Sequence, residues 1–394
     1  MNDIDPGAGA PDFRTHAEEL AERARVWTHS AVFAREHPLG VALYSEHGMR
    51  TFAQLHAASN RLAWQLQALG LKPGDAVALM CRNRPEFVEV LLASLRTGLR
   101  LTPVATQLTA DEAGYIVRDC QARVLFVEQG LAGTAIEGVR QFVIGSDAYA
   151  ALTQGSALEP AAPVPGTLML YTSGTTGRPK GVLRRTPELV VPQYAGSFAD
   201  YQPGDVQLCA GPAYHAAPLL FDLRWPLASG VPIVLVPEWD ARAVLEAMAR
   251  HRVTHAHMVP TMFQRLLALP ANERAAYDLS ALRFVVHGAA PCPVAVKRAL
   301  IDWWGPVLTE YYAATEGGEG IHIGSADWLR KPGAVGRFDP AQGHRLLDEH
   351  GADVAPGQIG RIYFTATREG RFEYFNDPEK TAAAYRGEIG RAHV

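Results

Sequence analysis

The sequence predicts an α/β protein with two parallel-type sheets flanked by helices, and three observations carry that expectation. Short apolar runs alternate with amphipathic helical stretches along most of the chain. The helical stretches are long enough to serve as crossovers between parallel strands. Glycines, prolines and capping residues fall at the junctions. The 394 residues allow two or three domains or one large multi-lobed unit, and a 48% hydrophobic share is enough for a sizeable core.

Taken in order, Thr51–Leu69 has helix-like spacing through Phe52, Leu55, Leu62 and Leu66, and Gly70 can end it. Lys72–Asp75 is a turn and Val77–Met80 a buried strand. Pro85 opens a helix that runs to Thr97, with Gly98 behind it. Leu101–Val104 is a strand. Thr109–Cys120 is a helix whose Thr109 and Glu112 form a capping box, and Val124–Val127 is the next strand. Ala150–Pro165 reads as a low-complexity Ala/Pro/Gly linker. Beyond it, Val231–Val236, His255–Val259, Arg283–His287 and Pro306–Tyr312 read as strands, separated by helices over Asp240–His251, Met262–Leu269 and Pro293–Trp304. From Asp339 on, glycines and short alternating runs such as Arg361–Thr365 suggest a small β-rich subdomain. The expected division is a first α/β lobe over residues 1–150, a second over 166–338 and the subdomain over 339–387.

Composition narrows the function. The formal charge is −4 with no Lys/Arg stripe, which argues against nucleic acid as a partner. Apolar runs such as Val231–Val236 are too short to span a bilayer, and Met1–Arg14 has no signal-peptide core. Cys81, Cys120, Cys209 and Cys292 lie far apart without a CxxC pair, which argues against a zinc site or disulfide framework and for a cytoplasmic location.

Four stretches carry chemistry. In "LMLYTSGTTGRPKGVLRR", Leu168–Arg185, an apolar run enters a loop of Thr172, Ser173, Gly174, Thr175, Thr176 and Gly177, followed by Lys180. Backbone N–H groups and hydroxyls there suit polyphosphate oxygens, and Lys180 adds a point charge. It is not a Walker A loop, because Lys180 lies between Pro179 and Gly181. A surface turn between two strands is the plainer reading. In "TEYYAATEG", Thr309–Gly317, Thr315 and Glu316 offer hard oxygen ligands for Mg²⁺, and Tyr312 could lay its ring on a purine. A helix cap or solvated carboxylate competes. In "VVHGAAPCP", Gly288, Ala289 and Ala290 would let a flat ring approach the backbone, or simply make a tight strand-to-helix turn. In "GPAYHAAP", His215 is either a core histidine or a residue at the mouth of a carboxylate site.

In this order the motifs resemble the AMP-forming adenylating enzymes: acyl-CoA synthetases, peptide-synthetase adenylation domains and firefly-type luciferases. Ser173–Gly181 resembles their phosphate loop, and Pro212–His215 the motif whose aromatic–His pair borders the acyl site. Gly288–Pro291 resembles the adenine-side turn. Tyr312–Glu316 resembles the Tyr-Gly-x-Thr-Glu motif, with Ala313 where glycine is usual. Lys331–Gly336, Gly357–Ile362 and Phe375–Thr381 also match family segments, so the resemblance runs from about Thr51 onward. It implies ATP, Mg²⁺ and CoA as cofactors and a carboxylic acid as substrate. It makes Lys180, His215 and Glu316 catalytic, with Glu316 on the metal. It assigns the nucleotide to Thr172, Ser173, Gly174, Thr175, Thr176, Gly177, Gly288, Ala289, Ala290, Tyr312, Ala313 and Thr315. The implied reaction has two halves: acid and ATP give acyl-AMP and pyrophosphate, then a thiol takes the acyl group.

The peptide-synthetase position that clamps an amino group falls near Ala217, counted back from Pro226–Gly230. A plain acid, fatty or bulky and apolar, is therefore expected. An amino-acid or aryl-acid adenylation domain feeding a carrier protein, or an inactive nucleotide-binding fragment, are the alternatives. The resemblance also implies an α+β C-terminal domain that is missing here, so this chain alone is expected to be poorly active. Residues 388–394, "EIGRAHV", are expected to be a non-native tail, since they back-translate to a string resembling a widely used sequencing adapter.

Overall fold

Helices begin where the capping chemistry places them. Thr51 accepts from Gln54 N and Gln54 returns a bond to Thr51 N at 2.9 Å, starting the helix Phe52–Ala68. Thr109 and Glu112 form the same reciprocal box for Ala110–Asp119. Pro85 occupies the first turn of Pro85–Arg96, where its missing N–H costs nothing. The computed structural model describes residues 12–131, 136–172, 178–184, 186, 190–194, 196–365, 371–386 and 389–391. None of its described helices is long and apolar enough to cross a membrane.

The chain divides into two units interleaved in sequence: Met1–Leu168, Pro187–His257 and Ala271–Phe284 form the first, and Met169–Thr186, Met258–Pro270 and Val285–Val394 the second. The architecture is the expected mixed α/β one, with parallel-rich sheets and flanking helices. In the first unit, Ala76–Met80 pairs in parallel with Arg100–Pro103 on one side and Ala122–Glu128 on the other, and Ala122–Glu128 pairs with Arg140–Ile144. Its other ladder runs from Val41–Tyr44 to Ile233–Leu235, then Gln207–Cys209 and His255–Ala256, again in parallel.

In the second unit, Val285–His287 pairs in parallel with Leu308–Glu310, and Leu308–Ala314 turns back antiparallel into Gly317–Gly324. Met169–Thr172, Lys180–Arg184 and Phe372–Tyr374 form an antiparallel ladder. Arg345–Leu347, Arg361–Thr365, Ile389–Arg391 and Tyr385–Arg386 form a small antiparallel sheet. Of the expected tail, only Ile389–Arg391 lies among the described residues.

Two expectations shift. The helix expected over Met262–Leu269 forms at Pro260–Leu267, because Pro260 takes its first position. The Ala/Pro-rich stretch expected to be a linker is tied down. Asn60 Nδ2 donates to Ala157 O at 2.9 Å, Trp64 Nε1 to Leu158 O at 2.8 Å, and Val164 N to Arg96 O at 3.1 Å. Low complexity hides this anchoring, because the carbonyls of any residue can accept.

The first unit buries an arginine. Arg96 reaches Asn60 Oδ1, Trp27 O at 3.0 Å and Ser30 Oγ at 3.1 Å, and burial lowers its pKa to about 10. Burial, reinforced by Arg96, lowers His29 to about 3, and burial lowers His257 to about 3. Their folded values lie below the unfolded value near 6.5. Between the two values the unfolded chain binds more protons, so stability falls as pH falls. At pH 5 each of these two fully buried rings withdraws about 2 kcal/mol. The urea midpoint is therefore expected to be level above about pH 7 and to drop steeply towards pH 5. A midpoint unchanged down to pH 5 would contradict the neutral burial of these rings.

Candidate active site

In the second unit the ladder places the charged residues. Register sets Thr172 opposite Lys180 and Tyr374 opposite Val182. Alternation along Lys180–Arg184 puts Lys180, Val182 and Arg184 on one face. Gly181 lies between close neighbours: a Cβ there would come within 3.0 Å of Met169 Sδ and 3.2 Å of Tyr171 Cζ. Phe375 N donates to Gly181 O at 2.8 Å and continues the ladder. Ser173, Gly174, Thr175, Thr176 and Gly177, expected to wrap phosphate, lie outside the described residues.

Lys180 Nζ stands 5.4 Å from the centre of the Tyr374 ring. Its pKa is held below the usual lysine value, chiefly by the neighbouring Lys380 and by desolvation, while Asp377 and Glu316 oppose the shift. Lys380 pairs with Asp377 at 3.2 Å. The Tyr374 hydroxyl donates to Glu316 Oε1 at 2.9 Å, with both residues buried.

Glu316 lies in the turn between the two hairpin strands, where Ala314 pairs with Gly317. Its carbonyl accepts from Arg184 Nη2 at 3.3 Å. Gly317 holds φ +139° there, a conformation open to glycine. Tyr312, Ala313 and Thr315 are half-buried on the same hairpin, and desolvation raises the Tyr312 pKa.

The small-residue turn follows Phe284–His287. Gly288 has no room for a side chain, since a Cβ would lie 2.6 Å from the Tyr311 ring and 2.8 Å from its carbonyl oxygen. Ala289 is held at φ +65°, which costs an L-residue roughly 1–2 kcal/mol. Ala289 and Ala290 are both exposed, so a flat ligand can approach them.

Helix Val294–Trp304 and strand Leu308–Ala314 are joined by a buried ion pair, Lys297 Nζ to Glu310 Oε2 at 2.7 Å, and Lys297 also sits 4.9 Å from the Trp328 ring centre. Desolvation lowers the Lys297 pKa while Glu310 opposes it.

His215 belongs to the first unit. It is exposed, with its ring edge-on to Tyr214 at 4.7 Å, and partial desolvation lowers its pKa. Its loop is held from below by Asn83. Asn83 Nδ2 donates to Gly211 O at 2.8 Å and Val236 O at 3.0 Å, and Oδ1 accepts from Ala213 N at 2.9 Å. The core-histidine reading of His215 is therefore not what the fold adopts.

The second unit thus brings Lys180 and Glu316 together at Tyr374, with Thr172 opposite Lys180 in register, Tyr312 and Thr315 on the Glu316 hairpin, and Gly288–Ala290 after the strand paired with that hairpin. Sequence reading missed Tyr374, Lys297, Glu310 and Asn83. Tyr374 and Asn83 act across a long sequence separation, and only the proximity of Tyr374 to the matched segment Phe375–Thr381 hinted at one of them.

The description "AMP-binding enzyme" fits residues 31–367 as a family match. The chain is 28% identical over 371 residues to a fatty acid–[acyl-carrier-protein] ligase of Streptomyces coeruleorubidus, covering 89% of this chain and 70% of that protein. It is 30% identical over 351 residues to an indoleacetate–CoA ligase of Aromatoleum aromaticum, covering 84% and 68%. The inhibitor-bound N-terminal domain of FACL13 from Mycobacterium tuberculosis superposes with a TM-score of 0.81 at 28% identity, covering 93% of this chain and 94% of that one.

Removing one partner of the buried pair strands the other. Lys297→Met is expected to cost about 3–5 kcal/mol in chemical denaturation, while the double change Lys297→Met with Glu310→Leu costs much less. Equal costs for the single and double variants would show that the pair does not act as a unit.

Proposed function

This chain belongs to the AMP-binding enzyme family and is an AMP-forming acid–thiol ligase, and from that premise we propose that it activates an apolar carboxylic acid with ATP and passes the acyl group to CoA. The observation that carries the reading is the meeting of Lys180 and Glu316 on opposite parts of one tyrosine, beside the sequence that reads as a phosphate loop.

A carboxylate is a poor acyl donor until one of its oxygens becomes a good leaving group. Attack of that oxygen on the α-phosphorus of ATP expels pyrophosphate and gives the mixed anhydride. An anion attacking a polyanion needs charge neutralisation and in-line placement more than covalent help. Lys180 neutralises charge on the phosphates. Gly288–Ala290 and Tyr312 take the adenine, the first by leaving room and the second by stacking. The motif resemblance gives His215, whose pKa desolvation lowers, the role on the acyl side. A thiol then attacks the acyl carbon, and AMP leaves.

Among the described residues no group of three His, Cys, Asp or Glu side chains could hold a metal by themselves. One carboxylate from Glu316 and one hydroxyl from Thr315 suit a hard cation that brings phosphate oxygens and water as its other ligands, as Mg²⁺ does. When bound, Mg²⁺ supplies further neutralisation of the phosphate charge.

The acid is a plain apolar one. The stretch Ala216–Phe221 that follows His215 is apolar, and Phe221 packs against Trp225 with ring centres 4.9 Å apart. Asp222 is fully buried and accepts from Gln207 Nε2 at 2.7 Å and from His257 N at 3.1 Å, so no exposed carboxylate stands there to meet a substrate amine. A carrier-protein thiol is the second acceptor to consider, because the relative from Streptomyces coeruleorubidus is a ligase for acyl-carrier protein.

The test is ATP–pyrophosphate exchange by the full-length protein across fatty, arylacetic and amino acids. Exchange is expected with the apolar acids and not with amino acids. Glu316→Gln is expected to lower the rate by about a hundredfold or more while melting normally. Exchange driven only by amino acids, or a normal rate in Glu316→Gln, would overturn the reading.

A further inference from the structure

We infer that Tyr374 is a positioning residue that presents the Glu316 carboxylate to the cation and, through its ring face, holds the Lys180 ammonium beside it. The inference rests on the proposed adenylation reading and goes beyond it, because it gives a role to a strand outside the motifs that suggested the site.

The geometry is specific. The phenol hydroxyl is bonded to Glu316 Oε1 at 2.9 Å inside the second unit, where Tyr374 is 7% and Glu316 8% exposed. A hydroxyl bonded to a carboxylate is among the stronger neutral-to-charged contacts. It takes Oε1 and leaves Oε2 as the oxygen for a cation. The Glu316 backbone is fixed independently by Arg184 Nη2 on its carbonyl at 3.3 Å. The residue is therefore held at its backbone by Arg184 and at its carboxylate by Tyr374, and the rotamer freedom of the glutamate is given up on folding instead of on binding.

The same ring serves Lys180. Its ammonium lies 5.4 Å from the ring centre, within cation–π range, so one side chain meets the ammonium with its face and the carboxylate with its hydroxyl. Tyr374 can do both because Tyr374 faces Val182 in the ladder and is two residues from Lys180 in register. It also packs with Phe372, Val182 and Ala384, which fix the ring. A phenylalanine would keep the ring and lose the hydroxyl, and a leucine would lose both.

That division defines the experiment. ATP affinity of the full-length protein is measured by titration calorimetry in EDTA and again with saturating Mg²⁺, beside pyrophosphate exchange as an activity control. In Tyr374→Phe the gain in affinity that Mg²⁺ brings is expected to shrink about tenfold, with affinity in EDTA unchanged. In Tyr374→Leu the affinity in EDTA is expected to fall as well. In a Glu316→Gln background, Tyr374→Phe is expected to change nothing further, because the hydroxyl acts through that carboxylate. If wild-type protein exchanges pyrophosphate but Tyr374→Phe retains the full Mg²⁺ gain, or if its effect persists undiminished in Glu316→Gln, the positioning role is overturned and the adenylation reading stands. If wild-type protein neither binds ATP nor exchanges pyrophosphate with any acid, the adenylation reading fails and takes this role with it.

Discussion

The antiparallel ladder of Met169–Thr172, Lys180–Arg184 and Phe372–Tyr374 fixes by register where the charges of the second unit meet. A slip of one residue would turn Lys180 and Arg184 to the opposite face. Gly181 sits tightly in that ladder, because a side chain there would press on Met169 and Tyr171. The rest follows from it: Tyr374 reaches Glu316, Arg184 reaches the Glu316 carbonyl, and Lys180 meets the ring. Two strands joined by a short connection and a third from far along the sequence thus set one carboxylate and one ammonium.

A second constraint supports the neighbouring strands. Glu310 is on the strand that carries Tyr312, and Lys297 is on the helix that follows the Gly288–Ala290 turn. Their ion pair couples the two elements that would flank an adenine. A buried pair of this kind adds little net stability over an apolar pair, so its value lies in fixing relative position. The strained backbone at Ala289 and the steric demand at Gly288 sit at the end of the same element. Strain held at an exposed turn by a rigid surround is what a preformed ligand surface requires.

Much of this was legible in the sequence, for definite reasons. The capping box at Thr109 and the proline at Pro85 act within a few residues, so local pattern reveals them, whereas Pro260 was passed over and its helix was expected two residues late. The α/β class follows from alternation alone. Lys180 was found behind the Gly/Ser/Thr loop that follows an apolar run, and Glu316 and the Gly288 turn because each ends a strand-like run. The hairpin strand Gly317–Gly324 was hidden by its glycines, which carry no strand signal. Tyr374 and Asn83 were hidden because their partners are remote: Tyr374 meets Glu316 across 58 positions and Asn83 meets Gly211 across 128. The Ala150–Pro165 stretch misled because composition cannot show which carbonyls will find donors.

The central claim is that the acid is activated by joining its own oxygen to AMP. The most direct measurement is to supply an acid labelled with oxygen-18 in its carboxylate, with ATP and CoA, to the full-length protein and to weigh the products. The account requires AMP carrying a single labelled oxygen and a thioester keeping the other, because thiol attack on the acyl carbon leaves the bridging oxygen on phosphorus. Label in inorganic phosphate, with ADP as the nucleotide product, would mean an acyl phosphate and would contradict the account.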